Sequence, residues 1–240
     1  MPVTYFISDL HLEATRPATV RALRRFLLEH RDCEALYILG DLFEIWIGDD
    51  DDTPLVSEVT EMLQRFTAAG PALYLMQGNR DFLLGKRFCQ AVGARLLRDP
   101  SVINLYGKPT LLMHGDSLCT QDKEYQAFRK TTRTTSWQAE LLARSLDERR
   151  KLARELRTMS REANSNKAED IMDVNPEAVE AALLDHEVRQ MIHGHTHRPA
   201  RHAQTAGVRW VLGDWDNKGW FIEATPNDVK LIEFDIKSID

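Results

Sequence analysis

The sequence predicts an α/β protein in which two stacked β-sheets are flanked by helices. Strand-like aliphatic runs alternate with amphipathic helical segments up to about residue 98. Three more strand-like runs follow at 207–213, 219–225 and 229–236, and we expect them to form a second sheet that stacks on the first. With 240 residues and 43% hydrophobic content, the chain can bury one substantial core, so a single domain over 1–240 is expected.

The first two helices are predicted over 18–30 and 55–70, where apolar residues recur at helical spacing. Gly70 is a suitable stop for the second helix. The acidic run from Asp49 to Asp52 lies between them and is interpreted as a solvated loop.

Residues 121–170 interrupt this alternation and predict a helical insertion, because the stretch has no glycine, no proline and no strand-like run. It carries twelve Lys and Arg against nine Asp and Glu, or +3, which leaves −9 for the rest of a chain whose net charge is −6. An apolar stripe runs along the predicted helices. It is suited to covering an apolar ligand as a lid, and equally suited to packing on the body of the protein.

Composition limits the classes of partner. The net charge of −6 argues against nucleic acid. Three separated cysteines without a CxxC motif fit a reducing cytosol, and the amino-terminal segment lacks the pattern of a signal peptide. Since no apolar run approaches the ~18 residues that span a bilayer, any membrane association is expected to be peripheral.

Five strand-like runs end in residues that bind metal ions, and we expect their side chains in loops at one edge of a sheet. Asp9 and His11 are two apart, so in an extended segment both would point the same way. Gly40, Gly78, Gly115 and Gly194 permit tight turns beside these residues. The set suits two divalent cations and comprises Asp9, His11, Asp41, Asn79, His114, His195 and His197.

The motif order DxH, GD, GN, HGD, GHxH resembles the calcineurin-like metallophosphoesterases. The resemblance implies their fold and assigns the first ion to Asp9, His11, Asp41 and His197, and the second to Asp41, Asn79, His114 and His195. A carboxylate such as that of Asp41 can bridge two ions, which then activate a shared hydroxide and clamp phosphoryl oxygens. Any single histidine could instead be structural, and His193 is interpreted as buried or supporting.

One departure from the superfamily concerns the residue after Asn79. Many members have histidine there, whereas this chain has Arg80. Arginine stays charged, so it can stabilise a phosphate leaving group but cannot protonate an alkoxide. The residue therefore favours cleavage of a pyrophosphate. We assign catalysis to Arg80, Asp41 and His195.

The strings GNRDF, DLFEIW and LGDW, together with the insertion, resemble the UDP-2,3-diacylglucosamine pyrophosphohydrolases of bacterial lipid A synthesis over essentially the whole chain. The resemblance implies hydrolysis of a UDP-linked diacylated glucosamine to UMP and the acylated sugar 1-phosphate, with manganese as cofactor. It also implies a helical lid over about 121–170 and a peripheral position on the cytoplasmic face of the inner membrane. No obligate protein partner is evident.

Substrate contacts are expected from two groups of residues. Ser160, Asn164 and Lys167 share one helical face, which an exposed polar surface would explain equally well. The full polar set is Asn79, Arg80, Asp122, Ser160, Asn164, Lys167 and His195, and the candidate acyl pocket is Trp46, Phe82, Leu83, Leu84 and Phe128. Another dinuclear phosphoesterase activity, a nuclease and a non-catalytic scaffold of the same fold remain alternatives.

Overall fold

The structure is a computed structural model that describes residues 1–165, 171 and 173–236, and the side chains of 160–165 lie outside that description. Its strands are β1 (Thr4–Ile7), β2 (Ala35–Leu39), β3 (Ala72–Met76), β4 (Ala94–Leu97), β5 (Ser101–Leu105), β6 (Lys108–Leu112), β7 (Gln190–His193), β8 (Ala200–Ala203), β9 (Val208–Val211), β10 (Lys218–Ala224) and β11 (Val229–Asp235). Its α-helices are α1 (Pro17–Glu29), α2 (Pro54–Ala68), α3 (Lys86–Ala91), α4 (Lys123–Thr132), α5 (Thr135–Leu142), α6 (Leu146–Ser165) and α7 (Pro176–Asp185).

The strands form two sheets, as the sequence predicts. One sheet has the order β11-β10-β1-β2-β3-β4 and the other has the order β5-β6-β7-β9-β8. Phe6 and Leu39 of the first sheet pack with Leu112 and Ile192 of the second in one buried cluster. Helices α1 and α2 pack on the first sheet, and α7 packs on the second. The expected sandwich flanked by helices is therefore confirmed.

The assignment of the last three strands to one new sheet was wrong. Only β9 lies in the second sheet, where it pairs with β7 and β8. Strand β10 instead pairs antiparallel with β1, and β11 pairs with β10. The physical reason is that β1 is buried along its whole length, so its free edge needs a hydrogen-bonding partner.

The predicted helices begin and end close to their expected bounds. Both α1 and α2 begin with proline, which has no N–H to leave unpaired and a backbone angle suited to the first turn. Gly70 follows the end of α2 with φ 125°. No helix in the described ranges has both the length and the apolar character needed to cross a bilayer.

Helices α4, α5 and α6 lie within the predicted insertion and pack on the body. Trp137, Leu141 and Leu152 join the main hydrophobic core. The apolar stripe therefore serves partly as an anchor for the insertion.

The acidic run is a loop in which Asp50 and Asp52 are exposed, as interpreted, but it also makes contacts that a purely solvated loop would not make. Asp49 accepts hydrogen bonds from the backbone N–H groups of Gly85 and Phe88. Asp50 makes a two-point contact with Arg149 of α6, whose side chain is only 4% exposed. A guanidinium this deeply buried requires an anionic partner, and the acidic run supplies it.

Candidate metal centre and adjoining cavity

The predicted ligand residues meet at the carboxyl ends of strands from both sheets. Asp9, Asp41 and Asn79 follow β1, β2 and β3, whereas His114 and His195 follow β6 and β7. The expectation of one edge of a single sheet was therefore wrong. The group assembles because the two sheets pack with these strand ends side by side, as shown by side-chain contacts between residues of both sheets.

These loops have unusual backbone geometry. In the described part of the chain, seven residues other than glycine have positive φ, and five of them are predicted ligands, namely Asp9, His11, Asp41, His195 and His197. Such angles are disfavoured for residues with a Cβ and concentrate at functional sites. Asp9 and His11 thus adopt left-handed backbone angles, with φ 56° and 48°, and the assumption of an extended segment was wrong.

One group of potential ligands surrounds Asp9. Its Oδ1 lies 3.5 Å from His197 Nε2 and 4.0 Å from His11 Nε2. The Nε2 atoms of His11 and His197 are 3.2 Å apart, and His11 Nε2 is 3.9 Å from Asp41 Oδ2. One carboxylate oxygen and two imidazole nitrogens thus converge on a small volume.

A second group lies on the other side of Asp41. Asp41 Oδ2 is 3.8 Å from His114 Nε2. Asn79 Oδ1 is 2.9 Å from His114 Nε2 and 2.8 Å from His195 Nδ1. Asp41 is close to ligand atoms of both groups, which is the position that a bridging carboxylate requires.

Two observations show that these side chains are suited to binding cations. Asp9 Oδ2 accepts hydrogen bonds from Ser8 Oγ and the His195 N–H, whereas buried Asp9 Oδ1 has no hydrogen-bond partner among the described residues. His114 Nδ1 donates a hydrogen bond to the Leu39 carbonyl at 2.9 Å, which leaves Nε2 as the nitrogen that would bind a metal ion in place of its proton.

Electrostatics favour positive ions here. Burial lowers the pKa of His11, and it lowers the pKa of His195 to about 3, so both rings are neutral near pH 7. Burial also disfavours the charged form of His114, but the nearby Asp41 and Asp9 carboxylates outweigh that effect and raise its pKa to about 9. Buried carboxylates this close together attract cations.

Glycines allow the ligand loops to approach each other. A Cβ on Gly78 would lie 2.0 Å from Asp41 Oδ1, and a Cβ on Gly194 would lie 2.2 Å from Asp9 Oδ2. These contacts confirm the close approach expected at both positions.

Two buried carboxylates that organise the loops were not assigned a role from the sequence. Asp81 accepts hydrogen bonds from the N–H groups of Gly78 and Leu42, which ties two ligand loops together. Asp116 accepts from Tyr125 Oη and Arg129 Nε of α4 and so joins the insertion to the HGD loop. Their positions inside the GNRD and HGD motifs were the available signal.

Arg80 lies beside the ligand groups. Its backbone N–H donates to Asp41 Oδ1 at 2.8 Å, and its side chain lines the adjoining cavity. Asp122 is buried and caps α4 by accepting from the Tyr125 N–H. Lys167 and the side chains of Ser160 and Asn164 lie outside the described residues.

A cavity of about 310 Å³ extends from Asn79 and Arg80 to the inserted helices. Four of the predicted acyl-pocket residues line it, whereas Leu84 does not and is buried in the main core. Its apolar walls are completed by the insertion. The hydrophobic lining residues include Ile45, Trp46, Ile47, Phe82, Leu83, Phe128, Leu141, Leu152, Leu156 and Met159.

The profile of the calcineurin-like phosphoesterase family matches residues 3–199. The chain belongs to this family. Within it, the chain is 50% identical to a UDP-2,3-diacylglucosamine hydrolase of Cellvibrio japonicus, over 97% of this chain and 99% of that protein. It is 53% identical to the hydrolase of the same name from Marinobacter nauticus, over 93% and 94% of the two chains. These matches confirm the resemblance inferred from the motifs.

Solved structures show the same fold at low sequence identity. An archaeal phosphodiesterase has a TM-score of 0.51 at 10% identity, with 97% of this chain and 99% of that chain covered. A hypothetical protein from Pyrococcus horikoshii has a TM-score of 0.52 at 11% identity, with 98% and 88% covered.

Proposed function

We propose that this phosphoesterase hydrolyses the pyrophosphate bond of UDP-2,3-diacylglucosamine. The products are UMP and 2,3-diacylglucosamine 1-phosphate, as expected for an enzyme of lipid A biosynthesis. The names of relatives about 50% identical to the chain support this substrate. The proposal also accounts for an unusual combination of a polar centre and an apolar cavity.

The observation that carries the proposal is the continuity of that cavity with the ligand groups. Asn79, whose Oδ1 contacts both His114 and His195, also lines the cavity. Leu152 and Leu156 of α6 line the same cavity. A substrate with a diphosphate at one end and fatty chains at the other matches a cavity that joins a polar centre to apolar walls.

We assign two divalent cations to the seven predicted ligands, with Asp41 as the bridge. Two such ions supply an activated hydroxide and neutralise phosphoryl oxygens. Carboxylate, amide and imidazole ligands suit manganese, which is the cofactor we propose. Asp9 and Asp41 contribute the negative charge that holds the pair, while the histidines and Asn79 leave positions open for substrate.

Arg80 is placed to stabilise the charge that develops on the leaving phosphate. Its backbone N–H is held by the hydrogen bond to Asp41, and the residue lines the cavity. An arginine acts here as a preorganised donor because it never loses its proton. His195 is neutral and lies beside Asn79, so it acts as a ligand and as a contact to the phosphate.

The inserted helices serve as a lid in this proposal. Each buried methylene of an acyl chain contributes roughly 0.8 kcal/mol, so the apolar walls supply much of the substrate affinity. Asp122, Ser160, Asn164 and Lys167 are assigned to the sugar and phosphate. An acylated substrate also implies peripheral association with the cytoplasmic face of the inner membrane.

The decisive experiment is hydrolysis of UDP-2,3-diacylglucosamine in oxygen-18 water with mass-spectrometric analysis of both products. The proposal requires label in UMP, which reports attack at the α-phosphorus. Label in the acylated sugar phosphate would contradict it. Failure to cleave this lipid while a simple phosphodiester is hydrolysed would favour the alternative of another dinuclear phosphoesterase.

A further inference from the structure

Glu44 connects a predicted metal ligand to the inserted helix α6. Its Oε2 lies 2.7 Å from His11 Nδ1, and its Oε1 contacts Arg157 Nη1. The side chains of Glu44, His11 and Arg157 are 10%, 11% and 16% exposed, so these contacts are shielded from water. In such surroundings, charged contacts are screened far less than at the surface.

The backbone holds Glu44 at this point. The Glu44 N–H donates to the Leu12 carbonyl, and the His11 N–H donates to the Asp41 carbonyl. The segment 41–44 therefore runs beside 11–12, and its last side chain reaches the ring of His11. Neither neighbour could be identified from the spacing in the sequence.

The contact determines which nitrogen of His11 is available. The 2.7 Å contact is an ion-pair distance without the alignment of a full hydrogen bond, and a carboxylate oxygen this close favours a proton on Nδ1 over a bare lone pair. The Nε2 lone pair then points to the group formed by Asp9, Asp41 and His197. Carboxylates that orient metal-binding histidines in this way commonly support metal affinity.

The other end of the chain of contacts lies in the cavity wall. Arg157 and Glu44 both line the cavity, and Arg157 is adjacent to Leu156 of the same wall. Its position depends on how α6 packs against the body. The separate contact between Arg149 and Asp50 fixes the same helix two turns earlier.

We propose that Glu44 is a positioning residue that orients His11 for metal binding and that Arg157 makes this orientation depend on the docking of helix α6. The inference rests on the proposed function, because it takes His11 as a ligand. It goes beyond that function by making the lid part of the metal centre. Lid packing and occupancy of one metal position are then linked, and each influences the other.

The test measures Mn²⁺ binding to the metal-free full-length protein by calorimetric titration. Glu44→Ala should lower the affinity for one of the two ions by roughly 10–100-fold, the usual effect of losing such a supporting partner. Glu44→Gln keeps an oxygen acceptor and should recover part of that affinity. Arg157→Met should lower the affinity for the same ion to a smaller extent.

The double variant Glu44→Ala/Arg157→Met decides whether Arg157 acts through Glu44. It should bind no more weakly than Glu44→Ala alone, because the shared route is already broken. Additive losses would overturn the coupling. Arg154→Met is the matched control, since Arg154 lies on the exposed side of α6 and its variant should bind both ions like the parent.

His11→Ala separates this inference from the proposed function. If His11→Ala retains both ions at parental affinity, the ligand assignment itself is wrong. If His11→Ala loses one ion while Glu44→Ala binds both normally, only the role of Glu44 is overturned. Should Glu44→Ala fail to fold, Glu44→Gln and Arg157→Met carry the same comparison.

Discussion

Replacement of Gly78 by alanine should disable the metal centre through steric contact alone. The new Cβ would lie 2.0 Å from Asp41 Oδ1 and 2.3 Å from the Asp41 backbone nitrogen. Because ordinary contacts begin at 3.4 Å, the Oδ1 atom must move by 3.4 − 2.0, or 1.4 Å. A change of rotamer cannot relieve the backbone contact, so the whole Asp41 loop must shift.

The size of this displacement determines the expected loss of activity. Moving a catalytic group by about 1 Å can reduce the rate by about 10²-fold, so kcat/KM for the acylated substrate should fall by at least about 10². Metal content should fall at both positions, because Asp41 contacts both ligand groups. Elemental analysis after gel filtration and steady-state kinetics measure the two effects.

Gly70→Ala is the matched control for this substitution. Gly70 has φ 125°, and a Cβ there would meet no atom within 4 Å. The variant should lose about 1 kcal/mol of stability from backbone strain and keep its metals. If Gly78→Ala retains two ions and parental kcat/KM, the proposed position of Asp41 between the ligand groups is wrong.

Other perturbations test separate parts of the site. Arg80→Ala should keep both ions while kcat/KM falls by roughly 10²–10³, and loss of metal or near-normal kinetics would refute its role in charge stabilisation. Asp41→Ala should lower occupancy at both positions, and elemental analysis showing two ions per chain would contradict the bridge. Asp50→Asn should raise KM for the acylated substrate more than it lowers kcat, because loss of the carboxylate charge loosens α6. Among the described residues, Asp50 is the only anionic side chain in contact with the Arg149 guanidinium. An unchanged KM would show that this contact does not shape the cavity. Chelation should lower the free energy of unfolding by RT ln(1 + [L]/Kd), about 2.7 kcal/mol when metal had been at 100 times Kd, and calorimetry that finds no shift would argue against tightly bound ions.

Local sequence patterns predicted the elements that place the site. Apolar runs followed by Asp9, Asp41, Asn79, His114 and His195 indicated the correct strands, because a buried strand must end before a polar ligand loop begins. Helices α1 and α2 were equally predictable from the sequence, since their apolar spacing and initial prolines are local signals.

Partners distant in sequence were not predictable in the same way. The pairing of β10 with β1 depends on which sheet edge is left open, and this is decided only when the sheets assemble. The contacts of the acidic run were also not predicted, because nothing in its own composition indicates that Arg149 is buried against it. Local charge patterns describe a segment and do not identify its partner.

The contacts that orient the ligand residues also could not be predicted from the sequence. Positive φ at Asp9 and His11 contradicts the extended geometry that their spacing suggested. Glu44 was visible in DLFEIW, but its contacts with His11 and Arg157 require three distant segments to converge. The motifs therefore indicated the ligand types, whereas tertiary packing determines their orientation.

The central claim is that loops from both sheets hold two adjacent ions bridged by Asp41. Electron paramagnetic resonance of the Mn²⁺-reconstituted protein tests it most directly, together with elemental analysis of the same sample. The account predicts two ions per chain whose spins are coupled, because one carboxylate joins them. A single ion, or two ions with independent signals, would contradict the bridged centre.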